Sequence, residues 1–193
     1  MPTIHMLHTP RLTLRPWRDE DLDAFAALNC DAEVMRYYPY ILTREQSGET
    51  LDWYRNMLEH DSFGPWVLER RTDSRFLGVA GLWRTQFQAA FTPSIEVGWR
   101  LFSDVWGQGY ATEAGQCCLA FGFHVLDLSE IISYTPRLNQ ASRRVMEKLG
   151  MQEQLDAAFL HPDIDPANPL AQQVLYHITR DAHLLRQVHT DPY

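Results

Sequence analysis

The segment "VWGQGYATEA", residues 105–114, sets Gly107 and Gly109 two apart and then runs at once into a helical pattern. Glycine admits φ > 0 and lets another molecule approach the backbone closely. A helix start leaves N–H groups unpaired, with partial positive charge. The combination suits an anion, phosphate above all, and it suits a mere tight turn as well. Upstream, "SIEVGWRLF" carries Glu96, which is either a carboxylate able to take a proton from a reacting group or an outward strand residue. Glu113 falls in the first turn of the helix, where the dipole stabilises a carboxylate. Asn139 stands in N-cap position before "QASRRVMEKLG", three residues ahead of Ser142. His161 in "FLHPD" either reaches a site or fixes its own loop. Cys30, Cys117 and Cys118 are an odd count without metal-type spacing, as free thiols in a reducing compartment would be.

The elements that must position these residues follow from periodicity. "PRLTLRPW" alternates and reads as a first strand closed by Pro16. "DEDLDAFAALNC", "AEVMRYYPY" and "REQSGETLDWYRNMLE" read as helices, the second broken at Pro39 and the third carrying Leu51, Tyr54 and Leu58 on one face. The period then changes: "PWVLERR" and "RFLGVAGLW" are strands separated by the turn signal "TDS". In "SIEVGWRLF", Ile95, Val97, Trp99 and Leu101 alternate against Glu96 and Arg100, and Gly98 marks a bulge or a close neighbour.

A long helix spans about 109–126, with Ala111, Ala114, Cys118, Phe121 and Val125 inward. "EIISYTP" is a short buried strand. "NQASRRVMEKLG" is a helix with Ala141, Val145 and Leu149 four apart, ended by Gly150. "MQEQLDAAF" starts as a strand, "HPDIDPANP" is a loop and "QQVLYHITR" is the last strand. With no repeat and no linker, residues 1–193 are expected to form one α+β domain with a mixed sheet.

Composition sets the bounds. A chain of 193 residues, 45% hydrophobic and 22% charged, can bury a full core and is no disordered polymer. The net charge of −8 argues against nucleic acid as the main partner. Acids and bases balance only over residues 100–150, whose bases are Arg100, Arg137, Arg143, Arg144 and Lys148. That balance fits a patch tolerant of a polyphosphate or a face of solvated arginines. "MPTIHMLHTP" has neither a basic start nor an apolar core, and no apolar run approaches the roughly 18 residues a membrane span needs. A cytoplasmic protein is expected, with no membrane and no nucleic-acid partner.

"IEVGWRLFSDVWGQGYATEA", a strand, and then "NQASRRVMEKLGM" together resemble the GCN5-related N-acetyltransferase (GNAT) superfamily, in the branch of ribosomal-protein N-terminal acetyltransferases. The likeness runs from "PRLTLRPW" to "YHITR". It implies a mostly antiparallel central sheet with helices on both faces, and acetyl-CoA as cosubstrate without a metal. In the family, the pyrophosphate loop reads Arg or Gln, two residues, Gly, one residue, then Gly or Ala. Gly109 and Ala111 fit, whereas the first position here is Trp106.

The resemblance thus implies that Gly107, Gln108, Gly109, Tyr110, Ala111 and Thr112 hold the pyrophosphate. It implies that the pantetheine arm enters a slot where the strand of Gly98 splays from "IISYT", pairing with backbone near Trp99, Leu101 and Phe102. The Gly98 backbone would face the thioester oxygen. Asn139 would contact the CoA arm, and Arg144, with Arg143, would reach the adenosine phosphates. Ser142 stands where many members carry a tyrosine acid. Glu96 is the first candidate for the base, because an ammonium has no lone pair with which to attack. The acceptor side would be built from "VMRYYPY" and "AAFLHPDIDPANP". Trp17, Tyr37 and Tyr38 are its walls or part of the core, and Asp163 and Asp165 either attract a cation or solvate the loop.

The acceptor is then a protein N-terminus or a small amine, and a homodimer is allowed. The alternative is a non-catalytic acyl-CoA binding or sensing domain.

Overall fold

A computed structural model describes residues 4–190; the outermost residues of the one-domain reading, 1–3 and 191–193, lie outside the described residues. Among the described residues, nine strands, β1 (Leu7–His8), β2 (Leu12–Arg15), β3 (Pro65–Arg70), β4 (Phe76–Arg84), β5 (Ile95–Leu101), β6 (Glu130–Pro136), β7 (Gln152–Glu153), β8 (Phe159–Leu160) and β9 (Gln172–Thr179), form one mixed, mostly antiparallel sheet in the order β1-β2-β3-β4-β5-β6-β9-β7, with β8 on β9. Contacts gather the chain into two units, one up to Trp83 together with Gly98–Cys118, the other Arg84–Val97 together with the chain from Leu119 onward.

In the first unit, β1 (Leu7–His8), β2 (Leu12–Arg15), β3 (Pro65–Arg70) and β4 (Phe76–Arg84) form successive antiparallel ladders, with Leu14 opposite Leu68 and Trp66 opposite Ala80. Helices α1 (Asp21–Cys30) and α2 (Arg44–Asp61) pack together. A capping box starts α2: Gln46 N–H donates to Thr43 Oγ1 at 3.2 Å and Thr43 N–H to Gln46 Oε1 at 2.9 Å. Leu12, Leu14, Phe25, Leu28, Leu58 and Trp66 are almost wholly buried, and burial of such side chains is the main favourable term. Trp17 belongs to this core: its indole N–H donates to Pro65 O at 2.7 Å and its ring meets Phe25 edge-on. "AEVMRYYPY" forms only a 3-10 turn, Val34–Tyr37.

The buried Arg15 is held by Asp21 at 2.8 Å and by Glu69. Burial pulls its guanidinium pKa down, but the two carboxylates outweigh that and raise it.

In the second unit, β6 (Glu130–Pro136) pairs along its whole length with β9 (Gln172–Thr179), which also carries β7 (Gln152–Glu153) and β8 (Phe159–Leu160). The segment after Gly150 starts as a strand, as expected, and passes from β7 through a 3-10 turn to β8. β5 (Ile95–Leu101) meets β6 in parallel at one register pair, Glu96 with Ile132.

Helix α3 is Tyr110–His124 and α4 is Gln140–Leu149. One inward assignment is corrected. Val125 follows the end of α3 and is exposed; on α4 the buried residues are Met146 and Leu149. A fifth helix, α5 (Arg180–Thr190), follows the last strand without a break and was not expected from periodicity. It is tied down by Arg180, whose guanidinium donates to Leu128 O at 2.6 and 2.8 Å, and by His183 against Phe123. No helix among the described residues is long and apolar enough to cross a membrane.

Candidate active site

The glycine loop follows β5 through a single 3-10 turn, Ser103–Val105. Gly107 has φ +73° and Gly109 has φ +83°, a region L side chains rarely adopt. A Cβ on Gly107 would meet nothing within 4 Å, and one on Gly109 only Arg11 Nη2 at 3.4 Å. The first α3 bond is Glu113 N–H to Gly109 O at 3.0 Å, and the preceding turn ends with Trp106 N–H on Ser103 O at 3.2 Å. Between them, the N–H groups from Gly107 to Thr112 find no acceptor among the described residues. Residues 106–109 are exposed, Ala111 and Thr112 half-buried and Tyr110 buried, so the loop end of this run of donors faces solvent.

Arg11 braces the loop, a residue that sequence reasoning did not single out. It donates to Gln108 O at 2.9 Å and to Glu113 Oε2 at 2.6 Å, and its guanidinium lies 4.5 Å from the centre of the Tyr110 ring. Glu113 also accepts from Thr9 Oγ1 at 2.5 Å and Arg11 N–H at 2.9 Å. Burial pushes the Glu113 carboxyl up, but these hydrogen bonds outweigh it and leave its pKa below the ordinary value. Glu113 therefore anchors the helix start. Gln108 donates to Asp104 O at 3.1 Å. Trp106 is pinned by its indole N–H on Leu101 O at 2.9 Å, with Arg36 5.5 Å over its ring.

On β5, Trp99 is half-buried and Leu101 buried. Phe102 N–H is already donated to Leu77 O at 3.0 Å, and Leu101 O already accepts from Trp106. Gly98 makes room for the Trp83 indole, whose ring carbons would stand 2.5 and 2.9 Å from an added Cβ. The close neighbour there is a side chain. Arg100 was expected on the polar side of this strand but is buried, with Nη1 donating to Met35 Sδ at 3.5 Å.

In the second unit Glu96 is 5% exposed, so it is not an outward strand carboxylate. It accepts long hydrogen bonds from Tyr134 OH at 3.5 Å and Thr85 Oγ1 at 3.4 Å. Tyr134 belongs to a half-buried aromatic group: Phe87 lies 5.5 Å from it, His161 lies 4.7 Å from Phe87, and Phe91 lies 5.0 Å from Phe159. Sequence reasoning missed Tyr134 and Phe87 because strand alternation does not say which rings converge. Burial pushes the His161 pKa down, partly offset by Asp163, and its Nδ1 accepts from Asp163 N–H at 3.3 Å within its own loop. Asp165 likewise closes a turn, accepting from Ala167 N–H at 2.9 Å.

Asn139 caps α4: its Oδ1 accepts from Ser142 N–H at 3.2 Å, while its amide donates to Thr135 Oγ1 at 3.0 Å. Ser142 is half-buried on the first turn of α4. Arg144 is exposed, whereas Arg143 is tied to Glu153 at 2.9 Å and to Tyr176. Burial raises the thiol pKa of Cys117 and, well above the ordinary value, that of Cys118, so neither is a ready thiolate nucleophile.

Residues 11–152 match the acetyltransferase (GNAT) domain family. The sequence is 31% identical over 188 residues to the FsC-acetyl coenzyme A-N(2)-transacetylase of Aspergillus fumigatus, covering 94% of this chain and 79% of that one. A GNAT-family acetyltransferase from Bacillus anthracis shares the fold, with TM-score 0.76, 24% identity and coverage of 92% and 99% of the two chains. So does a ribosomal L7/L12 alpha-N-protein acetyltransferase solved with coenzyme A, with TM-score 0.74, 14% identity and coverage of 92% and 99%. With the loop, the sheet and the sequence match in agreement, the chain belongs to the GNAT family and is an acetyl-CoA-dependent N-acyltransferase.

Proposed function

We propose that this chain, acting as one domain, moves the acetyl group of acetyl-CoA to a primary amine, either a protein N-terminus or a small amine. The observation that carries the reading is the run of unpaired N–H groups from Gly107 to Thr112 behind two glycines of positive φ. A pyrophosphate resting there needs no side-chain cation, which accounts for Trp106 where the family pattern has Arg or Gln. Trp99, Leu101 and Phe102 flank the pantetheine arm through whatever backbone groups their existing bonds leave open. By the family resemblance, Asn139 contacts the arm as well as capping α4, and the exposed Arg144 contacts the adenosine phosphates.

Glu96 takes the proton from the amine, directly or through water. An α-amine, with pKa about 8, gives up that proton more readily than a lysine at about 10.4. Tyr134 OH and Thr85 Oγ1 hold the Glu96 carboxylate for that task. The neutral amine attacks the thioester carbonyl, the C–N bond forms and the C–S bond breaks; the proton that the nitrogen sheds as the amide forms goes to the departing CoA sulfur, which accepts a hydrogen bond from Ser142, and Glu96 returns its own proton to water. No covalent enzyme intermediate is needed.

CoA release measured over a panel of amines, with Glu96→Gln and Ser142→Ala beside the parent, tests this. Turnover with at least one amine, lost mainly in kcat in Glu96→Gln and reduced less in Ser142→Ala, is expected. Acetyl-CoA binding without turnover on any amine would leave an acyl-CoA sensing domain instead.

A further inference from the structure

Arg15 and Arg100 are both buried guanidinium groups in the first unit, 4% and 9% exposed, and they are treated in opposite ways. Arg15 is matched by the carboxylates of Asp21 and Glu69. Arg100 has no carboxylate partner among the described residues. Its Nη1 meets only the weak sulfur acceptor of Met35 at 3.5 Å, and its Nε is fully enclosed without an acceptor. The ring centres of Tyr38 and Phe25 lie 5.1 and 5.5 Å from its carbon centre. Aromatic faces stabilise a cation, but they leave the N–H edge unsatisfied.

A guanidinium stays charged wherever it is placed, so an uncompensated buried one is destabilising unless something supplies the missing anion. Tyr38, whose ring lies against it, is itself 40% exposed, so one of the groups covering Arg100 borders solvent.

We infer that Arg100 is a specificity residue that receives a carboxylate of the acceptor, and that the preferred acceptor is an amine bearing a carboxylate, such as an amino acid. This rests on the amine-acetyltransferase reading above. Two features favour the acceptor over acetyl-CoA as the source of the anion. The pyrophosphate already has an open run of donors on the loop. The groups around Arg100, namely the Phe25 and Tyr38 rings and the Met35 sulfur, are uncharged, so a flat carboxylate that pairs with the guanidinium fork meets no competing anion among them.

The test uses the full chain and matched acceptors: free amino acids, the same amino acids as amides, and the corresponding amines without the carboxylate. In the parent, kcat/KM should favour the free amino acids by about 10- to 100-fold, the worth of a charge-assisted pair. Arg100→Met should erase that preference through the acceptor KM, leave the acetyl-CoA KM unchanged, and keep or raise Tm, since it removes an unpaired buried charge. Thermal shifts with N-acetyl amino acids against their amides read the same site without turnover: the carboxylates should stabilise the parent and not Arg100→Met.

A rise in acetyl-CoA KM with the acceptor preference intact would assign Arg100 to a phosphate and overturn the inference. So would a parent indifferent to the carboxylate in both assays. Absence of turnover with every amine, while the carboxylate-specific thermal shift persists, would count against the transfer reading and uphold the anion site.

Discussion

Gly107→Ala separates the backbone's need for glycine from the ligand's. In the protein alone, an added methyl at Gly107 meets nothing within 4 Å, so its cost is the φ of +73° by itself. For an L residue in the left-handed region that is about 1–2 kcal/mol, or a fall in Tm of roughly 2–8 °C for a domain of this size. The same methyl points into the open space that the pyrophosphate is proposed to fill, so the acetyl-CoA KM should rise about tenfold or more while kcat changes little.

Gly150→Ala is the control. It has φ +85° at the end of α4, and its Cβ would collide with the Arg186 side chain. That substitution should cost at least as much stability with no change in the acetyl-CoA KM. Thermal melts and initial rates against acetyl-CoA on the three proteins decide it. If Gly107→Ala loses the expected stability but keeps the parent KM, the glycine serves the turn alone and the phosphate argument is wrong.

Three further outcomes follow from side-chain geometry. The Glu113 carboxyl pKa is lowered in the folded state, so its stabilising share is present above the ordinary value of 4.5 and is lost as pH falls through the lowered one. Urea midpoints of parent and Glu113→Gln should therefore converge on acidification below about pH 4.5 and stay apart at neutral pH. Asn139→Ala should destabilise by about 1 kcal/mol through loss of the α4 cap, and Asn139→Ser should restore most of it, as chemical denaturation will read. Thiol labelling of the folded protein should modify the exposed Cys30 and spare the buried Cys118, without loss of acetyl transfer.

Local signals were legible in the sequence. Gly107, Gly109 and Gly150 all take the positive φ that their places after a strand or helix suggested. Asn139 caps α4 as its position implied, and strands such as "LTLR" and "EIISYTP" lie where alternation or apolar runs placed them. What periodicity could not supply is convergence. Glu96 and Arg100 break the apolar alternation of β5 and so look solvent-facing, yet both are buried because each face of that strand is covered. Tyr134 reaches Glu96 and Arg11 reaches Glu113 across 38 and 102 residues of sequence, distances over which spacing carries no information. Helix α5 was hidden because Leu184 and Leu185 remain exposed and its attachment rests on Arg180 and His183 instead of an apolar stripe.

The central claim, that bare backbone receives the pyrophosphate, is tested most directly by following the amide resonances of Gly107–Thr112 during titration with CoA and, separately, with pantetheine, which lacks the pyrophosphate. The account predicts large downfield shifts of these amides with CoA and little change with pantetheine. Equal responses to the two ligands, or CoA binding that leaves these amides unmoved, would contradict it.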